Sequence, residues 1–181
     1  MKVAFYLGSF NPPHYGHLTV INEALQNFGM DLVVVVPAMH NPTKKEKPAP
    51  FDLRCSWMER LCAKFTISTD QLAIVDRIEE SMIPPFYSYA TLHALRNKYC
   101  NDETYLLIGE DLVDEISDWM NGGQILKDWD LLVVDRPNDS LSSSQYRKSP
   151  LLFTGFIPTD IRDEVLYYYL EHNEELELQN K

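Results

Sequence analysis

Short apolar runs alternate along this chain with stretches whose apolar residues recur every three or four positions. KVAFYL, from Lys2, and DLVVVVP, from Asp31, read as strands, the second rich in Val as strands buried on both faces tend to be. LAIVD from Leu72, TYLLIG from Thr104 and DLLVVDRP from Asp130 repeat the signal, and LLFTG from Leu151 predicts a last short strand. Helices are predicted over 15–28, over 51–65 with Leu53, Trp57, Leu61 and Phe65 at helical spacing, and over 88–99. Helical material continues beyond the fourth strand to Lys127, interrupted at the Gly122-Gly123 pair. A short helix opens at Ser142, and IPTDIRDEVLYYYLEHN, from Ile157, closes the chain as another. HNPTKKEKPAP, spanning 40–50, has the prolines and lysines of an exposed loop. This alternation implies an α/β fold: a doubly wound parallel sheet with helices on both faces. No repeat, low-complexity block or linker divides the 181 residues, so one domain over 1–181 is expected.

Composition narrows the class. No apolar run is long enough to cross a bilayer, and MKVAFYLGS lacks the apolar core and cleavage site of a secretory signal, so cytoplasm is the expected location. Cys55, Cys62 and Cys100 share no CxxC spacing and read as reduced, mostly buried thiols rather than a disulfide frame or a metal site. Sixteen Lys and Arg against 27 Asp and Glu give a net charge of −11. That balance argues against a general nucleic-acid binder, because phosphate backbones reward clustered cations. It leaves room for a small phosphorylated ligand, which needs only a local cationic pocket. The acidic tail from His172 reads as a solvated helix end or a frayed terminus.

One stretch stands out: GSFNPPHYGH, Gly8 to His17, directly after the first strand. In a doubly wound sheet, ligands sit at the carboxyl ends of the strands, and this segment lies at that corner. Gly8 permits close backbone approach, and Pro12 and Pro13 stiffen the loop. His14 and His17 fall one turn apart on one side of the helix that follows, where free amides attract anions. A proline-stiffened turn with two surface histidines is the plainer alternative, and it leaves unexplained why Gly, Pro and His gather at the ligand corner.

GSFNPPHYGH resembles the signature of the nicotinate/nicotinamide mononucleotide adenylyltransferases, within the wider superfamily of HxGH nucleotidylyltransferases. His14-Tyr15-Gly16-His17 is the HxGH. LSSSQYR, 141–147, is similar to the superfamily's second signature, an Ile-Ser-Ser-Thr-x-Ile-Arg string, and IPTDIRDEV to the family's final helix. VPAMHNPTKK, FYSYATL from Phe86 and LLIGEDLVDEISDW from Leu106 extend the match over nearly the whole chain. The resemblance implies a Rossmann-like nucleotidylyltransferase domain. It also implies a reaction in which a mononucleotide phosphate attacks the α-phosphorus of ATP, forming a dinucleotide of NAD biosynthesis and releasing pyrophosphate. The nucleophile is already anionic, so catalysis would be positioning and charge stabilisation.

By the same resemblance, His14, His17 and Arg147 would be the catalytic, phosphate-binding groups. Gly8, Ser9, Phe10, Gly16, Gly109, Asp111, Ser142, Ser143 and Ser144 would bind ATP. Asn11, Lys44 or Lys45, Tyr87, Ser88, Trp119 and Arg136 would bind the mononucleotide, with Trp119 stacked on its pyridine ring. Magnesium would arrive with ATP, held mainly by phosphates and water, with no dedicated protein metal site. Read without the family, Asp111 is equally a helix N-cap, the serines a surface turn, Lys44 and Lys45 a solvated charge pair, and Trp119 a core aromatic. The chain departs from the family pattern in three places. Only three residues separate Arg136-Pro137 from LSSSQYR, Ser144 and Tyr146 replace Thr and Ile of the second signature, and Ser88 stands where Thr is common. The resemblance leaves the acid or amide mononucleotide open, with a lean toward the acid. Two rivals remain: another HxGH transferase, such as one for phosphopantetheine, and a nucleotide-binding sensor without turnover. Small-molecule substrates are the expected partners, with neither nucleic acid nor membrane, and the surface would permit a homo-oligomer.

Overall fold

A computed structural model of the chain describes residues 1–40, 46–65, 71–100, 102–135 and 142–179. Lys44, Lys45, Arg136 and the shortened segment before Ser142 lie outside them. Five strands form one sheet: β1 (Lys2–Gly8), β2 (Leu32–Pro37), β3 (Leu72–Val75), β4 (Glu103–Gly109) and β5 (Asp130–Val134). Their spatial order is β3-β2-β1-β4-β5, every neighbouring pair parallel. The chain begins in the middle, builds outward to β3, then returns to the far side of β1 to lay down β4 and β5. Adjacent connections therefore leave β1 and β4 in opposite directions, which opens a crevice at their carboxyl ends.

The strands alternate as a sheet buried on both faces requires. Ala4, Tyr6, Val33 and Val35 face a core formed with α1 (Tyr15–Gln26), α2 (Phe51–Cys62) and the first part of α6 (Arg162–Gln179). Val3, Phe5, Val34 and Val36 face the second core, with α3 (Ser88–Lys98) and α4 (Gly122–Asp128). All six residues of β2 are buried, which accounts for its unbroken valine run.

Two sequence expectations change. LLFTG forms no strand. Leu151 and Leu152 are exposed, and the chain turns through a 3-10 segment, Thr154–Phe156. The apolar side chains that count there, Phe153 and Phe156, pack against the first core from a turn. The region after β4 is not an interrupted helix either. Two 3-10 turns, Glu110–Leu112 and Ile116–Asp118, precede Asn121 in the left-handed conformation, and the glycine pair opens α4. A Cβ on Gly122 would lie 1.8 Å from the Ile116 carbonyl oxygen, so glycine is required for that approach. Of the three free thiols, Cys55 and Cys62 are buried and Cys100 is exposed. None of the described helices is long and apolar enough to cross a membrane.

Candidate active site

The corner after β1 is built on its own aromatic ring. Phe10 adopts φ 45°, left-handed for a non-glycine residue, and its ring folds back beneath Gly8. A Cβ on Gly8 would meet that ring at 2.9 Å, so the close approach Gly8 permits is to Phe10. The ring is buried and stands edge-on to Tyr6 and His17, with centroids 5.4 and 4.9 Å away.

His14 and His17 sit on this platform, only 3% and 8% exposed. Their rings stack at 3.6 Å, and the outer face of His14 stacks on Phe156 at 4.3 Å. His17 Nδ1 accepts a hydrogen bond from the His14 backbone N–H at 3.0 Å, closing the first turn of α1 as a reciprocal cap. A neutral His17 therefore carries its proton on Nε2, a donor for an anionic oxygen. Gly16 has a steric reason as well: a Cβ there would touch the His14 ring at 3.0 Å.

Opposite stands α5 (Ser143–Lys148). Ser142 is its N-cap, in a capping box with Gln145. Ser143 Oγ donates to the Pro12 carbonyl at 2.9 Å, which ties α5 to the histidine loop. Arg147 donates to the Asn11 carbonyl and to Glu46 Oε2, both at 2.6 Å, and to Ser144 Oγ at 3.2 Å. Asn11 is engaged from both ends, because its side-chain oxygen also accepts from the Ala49 N–H (2.9 Å) and the Tyr169 hydroxyl (2.6 Å).

Two cavities meet here. The first, about 200 Å³, is lined by Ser9, Phe10, Asn11, His14, His17, Asp111, the three serines and Arg147. The second, about 250 Å³, is lined by Glu79, Phe86, Tyr87, Ser88, Glu115, Trp119 and Met120. They share Leu7, Gly8, Ser9, Ala38 and Leu112 as a common wall. Of the residues expected on the ATP side, Gly8, Ser9, Phe10, His14, His17, Asp111, Ser142, Ser143, Ser144 and Arg147 line the first cavity, and of those expected on the mononucleotide side, Tyr87, Ser88 and Trp119 line the second. Asn11 lines the first cavity and not the second, and Gly16 and Gly109 line neither. Asp111 lies within the 3-10 turn and is no N-cap, while Gly109 ends β4.

Two residues that the sequence reading passed over hold that wall. Arg54 is wholly buried. It donates to three carbonyls: Nε to Ala49 (2.8 Å), one terminal nitrogen to Ser9 (2.7 Å), the other to Met39 (3.2 Å). Burial pulls its pKa below the ordinary guanidinium value. Glu79, 4% exposed, accepts from the Met39 N–H (2.7 Å) and the Thr91 hydroxyl (2.8 Å). Burial pushes its carboxyl above the ordinary value, and the two hydrogen bonds partly oppose the shift. Arg54 did leave a trace in the sequence: with Trp57, Met58 and Leu61 it occupies i, i+3, i+4 and i+7, a charge on the buried stripe of α2. Glu79, one of two acids in IEES, left none.

A doubly wound sheet with glycine, paired imidazoles and a serine-capped arginine around two abutting chambers is the corner of a nucleotide-handling α/β protein. The chain belongs to the cytidylyltransferase-like family, whose model matches residues 5–168, and within it to the nicotinate-nucleotide adenylyltransferases. A relative from Solibacter usitatus, named a probable nicotinate-nucleotide adenylyltransferase, is 33% identical, with 96% of this chain and 98% of the relative covered. One of the same name from Bacillus licheniformis is 31% identical, with 94% and 96% covered. Among solved structures, Plasmodium falciparum nicotinic acid mononucleotide adenylyltransferase complexed with NaAD superposes with a TM-score of 0.70 at 20% identity, covering 93% of this chain and 96% of that one. At that identity the likeness is one of fold.

Proposed function

We propose that this protein transfers AMP from ATP to nicotinate mononucleotide, forming nicotinate adenine dinucleotide and releasing pyrophosphate. The observation that carries this reading is the pair of cavities sharing one wall at the end of β1. One is lined by imidazole, hydroxyl and guanidinium donors, the other by aromatic rings. ATP takes the first and the mononucleotide the second, so the nucleophilic phosphate and the α-phosphorus meet at the Gly8-Ser9 backbone. Proximity supplies much of the rate, and fixed donors supply the rest. His17 donates from Nε2 to the α-phosphate as charge builds there, and His14, stacked behind it, holds the ring in place and adds a second donor. Arg147 and the serines that open α5 bind the departing β- and γ-phosphates; Lys44 or Lys45, and Arg136, all outside the described residues, would add charge on the mononucleotide side as the resemblance implies. Trp119 stacks on the pyridine ring, with Tyr87 and Ser88 beside it.

Magnesium fits this arrangement as a passenger on ATP. Among the described residues no cluster of three or more His, Cys, Asp or Glu side chains gathers as a metal cage. Asp111 and Glu46 are the carboxylates in the first cavity's lining. A hard cation of this kind would be held mainly by phosphate oxygens and water, with Asp111 the cavity carboxylate that could join them. When bound it neutralises charge on the leaving pyrophosphate.

The test is pyrophosphate release by the purified protein with magnesium-ATP and, separately, nicotinate mononucleotide, nicotinamide mononucleotide and phosphopantetheine. Release with nicotinate mononucleotide, absent in His17→Ala, supports the reading. Preference for the amide would reassign the substrate. Release only with phosphopantetheine would reassign the family branch, and ATP binding without release would make the protein a sensor.

A further inference from the structure

The wall between the two cavities is made of loop backbone, and loop backbone alone does not hold two reactants in fixed register. Two buried side chains of opposite charge support it. The Met39 peptide lies between them, its N–H on the Glu79 carboxylate and its carbonyl on the Arg54 guanidinium. Arg54 reaches past Met39 to the Ser9 carbonyl, so one cation joins the exits of β1 and β2. Ala38 N–H to the Gly8 carbonyl, 2.9 Å, continues the pairing of those exits. Glu79 carries the connection on through Thr91 into α3. Arg54 lines the first cavity and Glu79 the second. Among the described residues no carboxylate lies within ion-pair distance of Arg54, so its charge is balanced by carbonyl dipoles and by Glu79 across the peptide. In some proteins buried charges of this kind fix a specific arrangement of the groups around them.

We infer that Arg54 and Glu79 are positioning residues whose shared grip on Met39 sets the separation of the two substrate cavities. This rests on the assignment of the cavities to ATP and mononucleotide. Neither residue needs to touch a reacting atom. Their effect falls on the alignment of two ligands, and not on the affinity of either one alone.

That distinction supplies the experiment. Binding of nicotinate mononucleotide, of a non-hydrolysable ATP analogue and of nicotinate adenine dinucleotide is measured by calorimetry for the wild type, Glu79→Gln and Arg54→Lys. Gln removes the carboxylate charge that faces Arg54 and turns one of its two acceptors into a donor, and Lys cannot fork to three carbonyls. Either variant should weaken the dinucleotide, which spans both cavities, by about tenfold or more. Each single ligand should weaken by no more than about threefold. kcat should fall while both KM values stay near wild type. Equal weakening of all three ligands, or no weakening of the dinucleotide, overturns the proposal. If the wild type itself binds neither mononucleotide nor dinucleotide, the assignment of the second cavity fails and takes the proposal with it. Should both variants fail to fold, Thr91→Val, which removes one hydrogen bond to Glu79 without changing shape, must show the same pattern in milder form, and its absence overturns the idea.

Discussion

The two ring nitrogens of His17 do different work. Nδ1 caps α1 through the His14 N–H, and in the proposed reaction Nε2 is the donor to phosphate. Substitutions should separate the roles. His17→Asn keeps an acceptor for the cap, so its melting temperature should stay near wild type while turnover falls by about 10²–10³-fold, the usual cost of one transition-state donor. His17→Ala should lose that turnover and about 1 kcal/mol of stability besides, the worth of a cap. Paired melting curves and pyrophosphate assays check both. Arg147 gives a second prediction. Glu46 holds its guanidinium, and Glu46 is more than half exposed. Glu46→Gln should lower KM for ATP by roughly two- to fivefold and leave stability within about 0.5 kcal/mol, as a surface pair should. At this scale the sequence exposed residues with unusual conformational demands. Gly16 and the paired histidines were legible because such residues cluster where backbone is constrained. Arg54 showed only as a charge on the apolar stripe of α2 and Glu79 not at all, because the Met39 peptide they share is distant from both in sequence.

Among the elements, the region between β4 and α4 depends most on a single residue. Gly122 lets α4 start against the Ile116 carbonyl, and Trp119 and Met120 of the second cavity lie between the two. Gly122→Ala should cost several kcal/mol, on the order of a backbone overlap that nothing can relieve, and weaken the mononucleotide with it. Gly123→Ala is the control. Its Cβ meets nothing within 4 Å, and it should gain about 0.5–1 kcal/mol from the helix preference of alanine. Chemical denaturation of both variants checks the pair. The sequence pattern placed five strands within a residue or two, except at the end of the fifth, because short continuous apolar runs between more polar stretches mark them clearly. It misread the glycine pair as a break, since propensity cannot distinguish a glycine that disrupts a helix from one that lets it approach a neighbour. It misread LLFTG for a related reason: an apolar run can anchor a turn, as Phe156 does on His14, without joining a sheet.

For the whole molecule, a net charge of −11 is compatible with anionic substrates because cationic groups, Arg54 and Arg147, stand in the lining of the first cavity. The alternation of elements was enough to foresee the parallel sheet. The coupling between its two chambers was not, because it depends on contacts between residues far apart in sequence. The buried thiols add a molecule-wide prediction. Burial pushes Cys55 up to about 11 and Cys62 to about 12 from an ordinary 9.0, and Tyr146 is likewise pushed up to about 12. Each group ionises first in the unfolded chain, so the native state loses stability as pH rises from about 9 toward 12. Melting temperature should be level near pH 8 and fall steadily above pH 9, less so in Cys62→Ala. With a thiol reagent at pH 8, Cys100 should react quickly and the other two only on unfolding.

In the proposed reaction ATP surrenders its α-phosphoryl group, with adenosine attached, to a phosphate held across the shared wall. The most direct measurement follows ATP labelled at the α-phosphorus in the presence of magnesium and nicotinate mononucleotide. The label should appear in nicotinate adenine dinucleotide, in amounts equal to the pyrophosphate released. Label left in ADP or AMP with no dinucleotide formed would contradict the account.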